Sequence, residues 1–165
     1  MLIRSAVSKD AAKLTELIAD AESSGFMMFD PGERKMTSDQ LAKRIEQVEQ
    51  DSSSAILLAE SDDELLGYLF VIGNAPQRTR HSVYLAIGIR ETSRGQGVGT
   101  RLFERLDNWA AENKIHRLEL TVMVKNRAGL ALYQKMGFII EGIKKNSLQV
   151  DGEYIDEYYM GKLMG

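Results

Sequence analysis

The sequence predicts a mixed α/β fold in which helices pack on both faces of one sheet. Short apolar runs typical of strands alternate with amphipathic stretches of helical spacing along the chain. Their order is β-α-α-β-β-β-α-β-α-β-β, which favours a mixed sheet. In the middle, the runs 83–89 and 117–124 flank an amphipathic stretch at 98–111. A right-handed crossover of this kind makes its two strands parallel.

The first half of the chain reads as one strand, two helices and a hairpin. Residues 2–7 form the predicted first strand, and Ser8 is a good N-cap for the helix that follows. Ser38 is the predicted N-cap of the second helix, which carries apolar residues on one face. The apolar runs 54–60 and 65–73 are separated by a short polar segment, which is typical of a hairpin.

The second half alternates strands and helices and then closes with two strands. The predicted elements are strand 83–89, helix 98–111, strand 117–124, helix 128–136, and strands 138–145 and 154–163. The last two strands meet around the turn at 150–152. No repeat, linker or low-complexity segment interrupts the pattern, so we expect a single domain over residues 1–165.

Composition narrows the class of protein. The chain is 44% hydrophobic and 27% charged, which is ordinary for a soluble globular domain. A net charge of −3 gives no electrostatic reason to expect a nucleic-acid partner. The absence of cysteine excludes disulfides, thiolate metal sites and an acyl-cysteine intermediate, and two separated histidines suggest no metal site. No signal core or membrane-length apolar run is visible, so we expect a cytoplasmic protein with no membrane association.

The most informative segment is Arg94-Gly95-Gln96-Gly97-Val98-Gly99-Thr100, where a strand turns into a helix. Such a turn presents backbone N–H groups, and the helix N-terminus adds a positive partial charge. Glycine lets a phosphate approach that backbone closely. We therefore interpret the segment as an anion cradle suited to a pyrophosphate.

Spacing excludes one other glycine-rich phosphate loop and argues against a second. A P-loop needs a lysine after its last glycine, and none follows Gly99. A dinucleotide fingerprint needs G-x-G-x-x-G after an early strand, whereas this pattern is one residue short and lies past the middle of the chain. A tight glycine turn without a ligand remains an alternative.

A second cluster completes a recognisable pattern. Arg94-x-x-Gly97-x-Gly99, then a helix, a strand and Asn126-x(6)-Tyr133-x-Lys135-x-Gly137-Phe138, resembles the GCN5-related N-acetyltransferase (GNAT) superfamily. The resemblance covers about residues 2–163, and the segment 141–160 further resembles bacterial members that acetylate free amino acids or other small amines. It implies a single-domain fold with a splayed central sheet and transfer of an acetyl group from acetyl-coenzyme A (acetyl-CoA) directly to a primary amine.

The same resemblance implies how the cosubstrate is held. Acetyl-CoA would insert beside the central strands like an extra strand and pair with the main chain of Ile87, Gly88 and Ile89. The cradle residues Arg94 to Thr100 would hold the pyrophosphate, and Asn126 would also contact the cosubstrate. Two of these positions have a simpler alternative. Gly88 also fits a bulge or a core strand, and Asn126 also fits an ordinary helix N-cap.

Acetyl transfer needs a group that takes a proton from the amine and a group that gives one to the departing thiolate. Tyr133 matches the position of the family's thiolate-protonating tyrosine, although an aromatic there could simply pack in the core. Glu119 is the only carboxylate in its strand and is our candidate base. An ion pair with Arg117 or Lys114 is the alternative for Glu119, and ordered water or acidic residues of the last strand could replace it as base.

The acceptor site is less well defined. We expect it to involve the apolar segment 26–29, Glu33 and the last hairpin, although four apolar residues in a loop could equally fill a core or form a homodimer contact. A protein N-terminus, a polyamine or an aminoglycoside remains a possible acceptor. A noncatalytic acyl-CoA sensor and a dimerisation module are the alternatives outside enzymes.

Overall fold

The computed structural model describes residues 1–165 and contains one seven-stranded mixed sheet, in the order β1-β2-β3-β4-β5-β7-β6. The strands are β1 Leu2–Ser5, β2 Ala55–Ser61, β3 Glu64–Ile72, β4 Ser82–Ile89, β5 Arg117–Met123, β6 Ile139–Val150 and β7 Glu153–Leu163. The helices are α1 Ala11–Glu22, α2 Ser38–Glu49, α3 Val98–Glu112 and α4 Arg127–Lys135. The element order and the mixed fold are those predicted.

Strands β4 and β5 are the parallel pair in the sheet, as their crossover through α3 predicts. They pair at three positions, the last of which joins Tyr84 to Glu119. Beyond this point β4 stays paired with β3 as far as Ile89, and β5 stays paired with β7 as far as Met123. The inner edges of 85–89 and 120–123 therefore have no strand partner, which confirms the splayed sheet.

The helices divide between the two faces of the sheet. Helices α3 and α4 cover one face, where a core of 19 buried residues includes Phe103, Leu106 and Leu118. Helices α1 and α2 cover the other face through a second core of 12 buried residues that includes Leu14 and Ile45. Because side chains alternate along a strand, β2 and β3 supply both cores, whereas β4 and β5 supply buried residues only to the first.

The start of α1 differs from the sequence prediction. Ser8 begins a single tight turn ahead of the helix and makes no capping hydrogen bond. The Asp10 carboxylate instead accepts a hydrogen bond from the Val7 backbone N–H at 2.8 Å, and it pairs with Arg4 of β1 at 2.8 Å. Arginine therefore lowers the pKa of Asp10, and this ion pair anchors β1 to the beginning of α1.

Two other boundaries differ. Thr37, not Ser38, caps α2, because its hydroxyl accepts from the Gln40 N–H while the Gln40 side chain accepts from the Thr37 N–H. Strand β6 continues to Val150 instead of ending near 145, with two irregularities in its pairing to β7. No helix in the structure combines the length and the apolar character needed to cross a membrane.

Candidate active site

The glycine turn adopts the open backbone that an anion cradle requires. Gly95 and Gly97 have φ angles of 73° and 83°, in the left-handed region that favours glycine. A Cβ atom placed on either residue would meet no atom within 4 Å, so the space above both is open. Residues 94–97 are exposed, and α3 begins at Val98. Its first N–H groups are therefore available to a ligand.

Gly99 serves a different purpose from Gly95 and Gly97. It is buried within the first turn of α3, and an added Cβ would lie 2.6 Å from Cδ2 of Leu132 on α4. The glycine thus permits close packing of α3 against α4. The next residue, Thr100, accepts a hydrogen bond from the Lys135 ammonium at 3.3 Å, which also links these helices.

The unpaired edge of β4 carries Ile87, Gly88 and Ile89. Ile87 and Ile89 pack against the core under α3 and α4. At Gly88, an added Cβ would overlap the ring of Tyr68 from β3, so packing of this ring already requires a glycine. The free main-chain edge at these residues is the feature that remains available to an extended ligand.

Asn126 is the N-cap of α4. Its side-chain oxygen accepts a hydrogen bond from the Gly129 backbone N–H at 3.0 Å. The alternative that the sequence allowed for Asn126 is therefore present in the structure. A contact between its amide nitrogen and a ligand would be compatible with this cap, because only the oxygen is used.

Tyr133 lies on α4, on the same face of the sheet as the glycine turn. Its ring is 9% exposed and packs edge-on against Phe103 and Phe138, with ring centroids 5.8 and 6.3 Å away. Its hydroxyl makes no hydrogen bond within the chain, yet no buried polar atom lacks a partner, so this oxygen reaches the surface. Burial raises the pKa of Tyr133 and the nearby Tyr84 phenol adds to the effect, so the phenol stays protonated.

An open cavity of about 740 Å³ lies over β5, β6 and β7. It is lined by Met28, Tyr84, Arg117, Glu119, Leu120, Thr121, Glu141, Lys144, Ser147, Leu148, Glu157, Tyr159 and Met160. The Tyr84 hydroxyl bonds to the hydroxyl of Thr121 at 2.8 Å, bridging β4 and β5 where the strands begin to diverge. A volume of this size suits a small molecule.

Glu119 faces this cavity and forms an ion pair. Arg117 donates a hydrogen bond to its carboxylate at 2.9 Å and donates two more to the carboxylate of Glu141 on β6. Arg117 lowers the pKa of Glu141. The structure therefore shows the ion pair that the sequence offered as the alternative for Glu119, and it also places this carboxylate on the wall of a cavity.

Sequence reasoning named the last hairpin as a whole but not the residues by which it lines this cavity, and it missed Tyr84. Tyr84, Glu141, Lys144 and Ser147 line the cavity but carry no motif. Tyr84 could have been found, because strand alternation puts Tyr84 on the same face of its strand as Gly88. The β6 residues could not, because the irregular pairing between β6 and β7 decides which of them point into the cavity.

Comparison with known proteins identifies the family. A model described as the acetyltransferase (GNAT) family matches residues 14–138. The L-amino acid N-acetyltransferase AaaT of Escherichia coli (strain K12) is 37% identical over 113 residues, which cover 65% of this chain and 67% of that protein. A Bacillus subtilis (strain 168) relative with a [ribosomal protein bS18]-alanine N-acetyltransferase assignment is 33% identical, but the match spans only 62% of its length.

Solved structures agree over the whole chain. A GNAT-family acetyltransferase from Streptococcus pneumoniae has a TM-score of 0.93 and 33% identity, with 99% of both chains covered. The structure of yncA from Salmonella typhimurium with its cofactor acetyl-CoA has a TM-score of 0.89 over 99% of this chain and 94% of that one, but at 20% identity it supports the fold alone. The matched segment spans the splayed strands, the glycine turn and Tyr133, and on this basis the chain belongs to the acetyltransferase (GNAT) family.

Proposed function

We propose that this acetyltransferase moves the acetyl group of acetyl-CoA directly to the primary amine of a small molecule, with a free amino acid as the best acceptor. The observation that carries the proposal is the position of the sheet opening. A glycine turn and a buried tyrosine lie on one face of the sheet, and a charged cavity lies beside the same opening on the divergent strands.

The glycine turn fits the pyrophosphate of acetyl-CoA. At Gly97, a left-handed φ and the empty space where a Cβ would lie leave the backbone accessible to a phosphate. The start of α3 adds its N–H groups and a positive partial charge, while Arg94 is exposed beside them. The unpaired edge at 87–89 would pair with the pantetheine arm, and Asn126 would contribute its side-chain amide.

Tyr133 is the proposed acid. The thioester supplies an activated carbonyl, which the amine nitrogen attacks as the C–N bond forms and the C–S bond breaks. Tyr133 would donate its phenolic proton to the departing sulfur. Two facts support this role: the hydroxyl has no hydrogen-bond partner within the chain, and the ring that carries it is held by packing against Phe103 and Phe138.

Glu119 is the proposed base, and its pairing defines what it can do. Arg117 holds the carboxylate in one position on the wall of the cavity. Arg117 also competes with the acceptor amine for this carboxylate, so we expect the contribution of Glu119 to be modest. Glu157, Asp156 and ordered water remain the alternatives.

The charges of the cavity support a zwitterionic acceptor. Glu119, Glu141 and Glu157 outnumber Arg117 and can attract an ammonium group, and the exposed Lys144 can attract a carboxylate. The E. coli relative named for L-amino acids agrees with this choice, whereas the B. subtilis relative named for a ribosomal protein makes a protein N-terminus the competing acceptor.

A panel assay tests the proposal. Thiol release from acetyl-CoA would be followed with free amino acids, polyamines, aminoglycosides and short peptides, with the same reactions lacking enzyme as the control. We expect the highest kcat/KM for an amino acid. Faster turnover of peptides would assign the chain to protein acetylation, and coenzyme A binding without turnover of any amine would make it a sensor.

A further inference from the structure

An ion pair with a buried carboxylate ties the end of α1 to the loop that follows it. Glu22, the last residue of α1, is only 2% exposed. Its carboxylate accepts from Nε of Arg34 at 2.8 Å, twelve positions along the chain. A buried carboxylate without a partner is costly, so this contact strongly favours one arrangement of residues 23–34.

A second contact closes the same loop from within. The Arg34 guanidinium lies over the ring of Phe29, with its central carbon 4.4 Å from the ring centroid. Cation–π contacts of this kind are stabilising, and they fix the plane of both groups. Glu22, Arg34 and Phe29 together form what we call the loop clamp.

Met28 shows what the loop clamp positions. Met28 precedes Phe29 in the chain and lines the acceptor cavity together with Glu119 and Tyr159 of the strands. It is 74% exposed, so no core packing of its own holds it in place. Its position over the cavity therefore depends on the residue beside it, which the loop clamp fixes.

We infer that the loop clamp is a positioning device that holds Met28 as a wall of the acceptor cavity and thereby sets acceptor affinity. Glu22, Arg34 and Phe29 are positioning residues, since they act through Met28. The acceptor arm of the inference rests on the proposed function. The order of the loop itself does not, because it can be measured without an acceptor.

The first experiment needs no acceptor. Hydrogen–deuterium exchange over residues 23–36 would be compared in wild type, Arg34→Met, Arg34→Lys and Phe29→Leu. Phe29→Leu keeps the buried ion pair, so it tests the clamp even where Arg34→Met folds poorly. Lys162→Met is the matched control, because it breaks a 3.0 Å ion pair with Asp107 on α3, away from the loop.

We expect exchange over 23–36 to accelerate by about tenfold in Arg34→Met, less in Phe29→Leu, least in Arg34→Lys, and not at all in Lys162→Met. Unchanged exchange in folded Arg34→Met and Phe29→Leu, or equal acceleration in Lys162→Met, would overturn the clamp. If no amine is turned over, the proposed function fails while this result still stands.

The second experiment tests the route through Met28. With the best acceptor of the panel, Arg34→Met should raise the acceptor KM by about fivefold or more while the KM for acetyl-CoA stays within about twofold. Arg34→Lys should restore most of the affinity. Met28→Ala should raise the acceptor KM in wild type but add little in the Arg34→Met background. Additive effects, or an equal rise in the acetyl-CoA KM, would overturn positioning through Met28.

Discussion

The two sides of the candidate site differ in whether backbone groups or side chains form them. The proposed cosubstrate side consists of backbone: two left-handed glycines, the first turn of a helix and an unpaired strand edge, with one buried tyrosine beside them. The proposed acceptor side consists of side chains, most of them polar or charged, that come from the 23–37 loop and from β4 to β7.

This difference suggests a division of labour. Backbone groups are the same in every sequence, so a backbone site can stay constant while its surroundings vary. A site made of side chains changes with each substitution. We therefore expect a substitution on one side of the site to alter the affinity for one substrate and to leave the affinity for the other substrate nearly unchanged.

Tyr133→Phe should have the largest effect. The ring and its packing against Phe103 stay, and only the hydroxyl is lost. We expect kcat to fall by roughly 10² or more while the Kd for coenzyme A is unchanged. Steady-state kinetics with calorimetry would measure both. Retention of most of the turnover would reassign Tyr133 to packing alone.

Gly97→Val should lower the affinity for coenzyme A by at least about tenfold, equivalent to about 1.4 kcal/mol, because its Cβ would occupy the open cradle. Gly152→Val is the matched control. Its φ of 79° and open surroundings give the same backbone strain in the β6–β7 turn, far from the cradle. Equal affinity in folded Gly97→Val and wild type would remove the cradle from the site.

Gly99→Val should separate packing from binding within the same motif. Its Cβ would collide with Leu132. The main effect should therefore be a loss of about 1–3 kcal/mol in the free energy of unfolding, as for an overpacked core, and hence a lower Tm. The Kd of the folded fraction should change less than in Gly97→Val. Thermal unfolding beside calorimetry would distinguish the two glycines, and the reverse ranking would show that Gly99 belongs to the cradle.

Glu119→Gln should lower the rate near neutral pH by about fivefold and leave coenzyme A binding unchanged. The difference in rate between the variant and wild type should shrink at high pH, because more of the acceptor amine is already neutral there and needs no base. Glu141→Gln is the control, since it removes the same charge beside Arg117. Equal losses in both variants would indicate a general effect of charge, and an unchanged profile would leave water, Asp156 or Glu157 as base.

Asp20→Asn should have the smallest effect, and it should alter the affinity for coenzyme A although its residue belongs to a helix on the other face of the sheet. Asp20 lies on α1, yet its carboxylate accepts from the Glu91 N–H at 2.7 Å, just before the glycine turn. We expect coenzyme A affinity to fall about two- to fivefold, since an exposed hydrogen bond is worth roughly 0.5–1 kcal/mol net. A change in acceptor KM instead would show that α1 serves only the acceptor side.

The sequence predicts the fold and the glycine turn well, and it predicts the side-chain contacts of the cavity poorly. Element order, the parallel β4–β5 pair and the glycine turn depend on local spacing, and each appears in the structure. The prediction of Ser8 as N-cap was wrong because the carboxylate of Asp10 accepts the hydrogen bond from the Val7 N–H instead. Arg4 of β1 holds that carboxylate in place. The residues that hold the proposed cosubstrate, the cytoplasmic location and a homodimer remain predictions.

The proposed acceptor cavity was only partly predicted from the sequence. Glu119, the segment 26–29 and the last hairpin could be named, but the pairing of Arg117 with two carboxylates depends on β5 and β6 lying on either side of β7. The loop clamp likewise joins the last residue of α1 to Arg34, twelve positions along, across a segment that has no regular structure. Such contacts are decided by the path of the chain in space, which local patterns do not encode.

The three-residue pairing between β4 and β5 has a consequence for stability. The sheet is in effect two smaller sheets with few direct hydrogen bonds between them. A strand-like ligand in the opening would supply missing backbone partners, so the native state would be stabilised by occupancy. Coenzyme A at a hundred times its Kd should stabilise the fold by about 2.7 kcal/mol, and the amides of residues 85–89 should be those whose solvent exchange slows most.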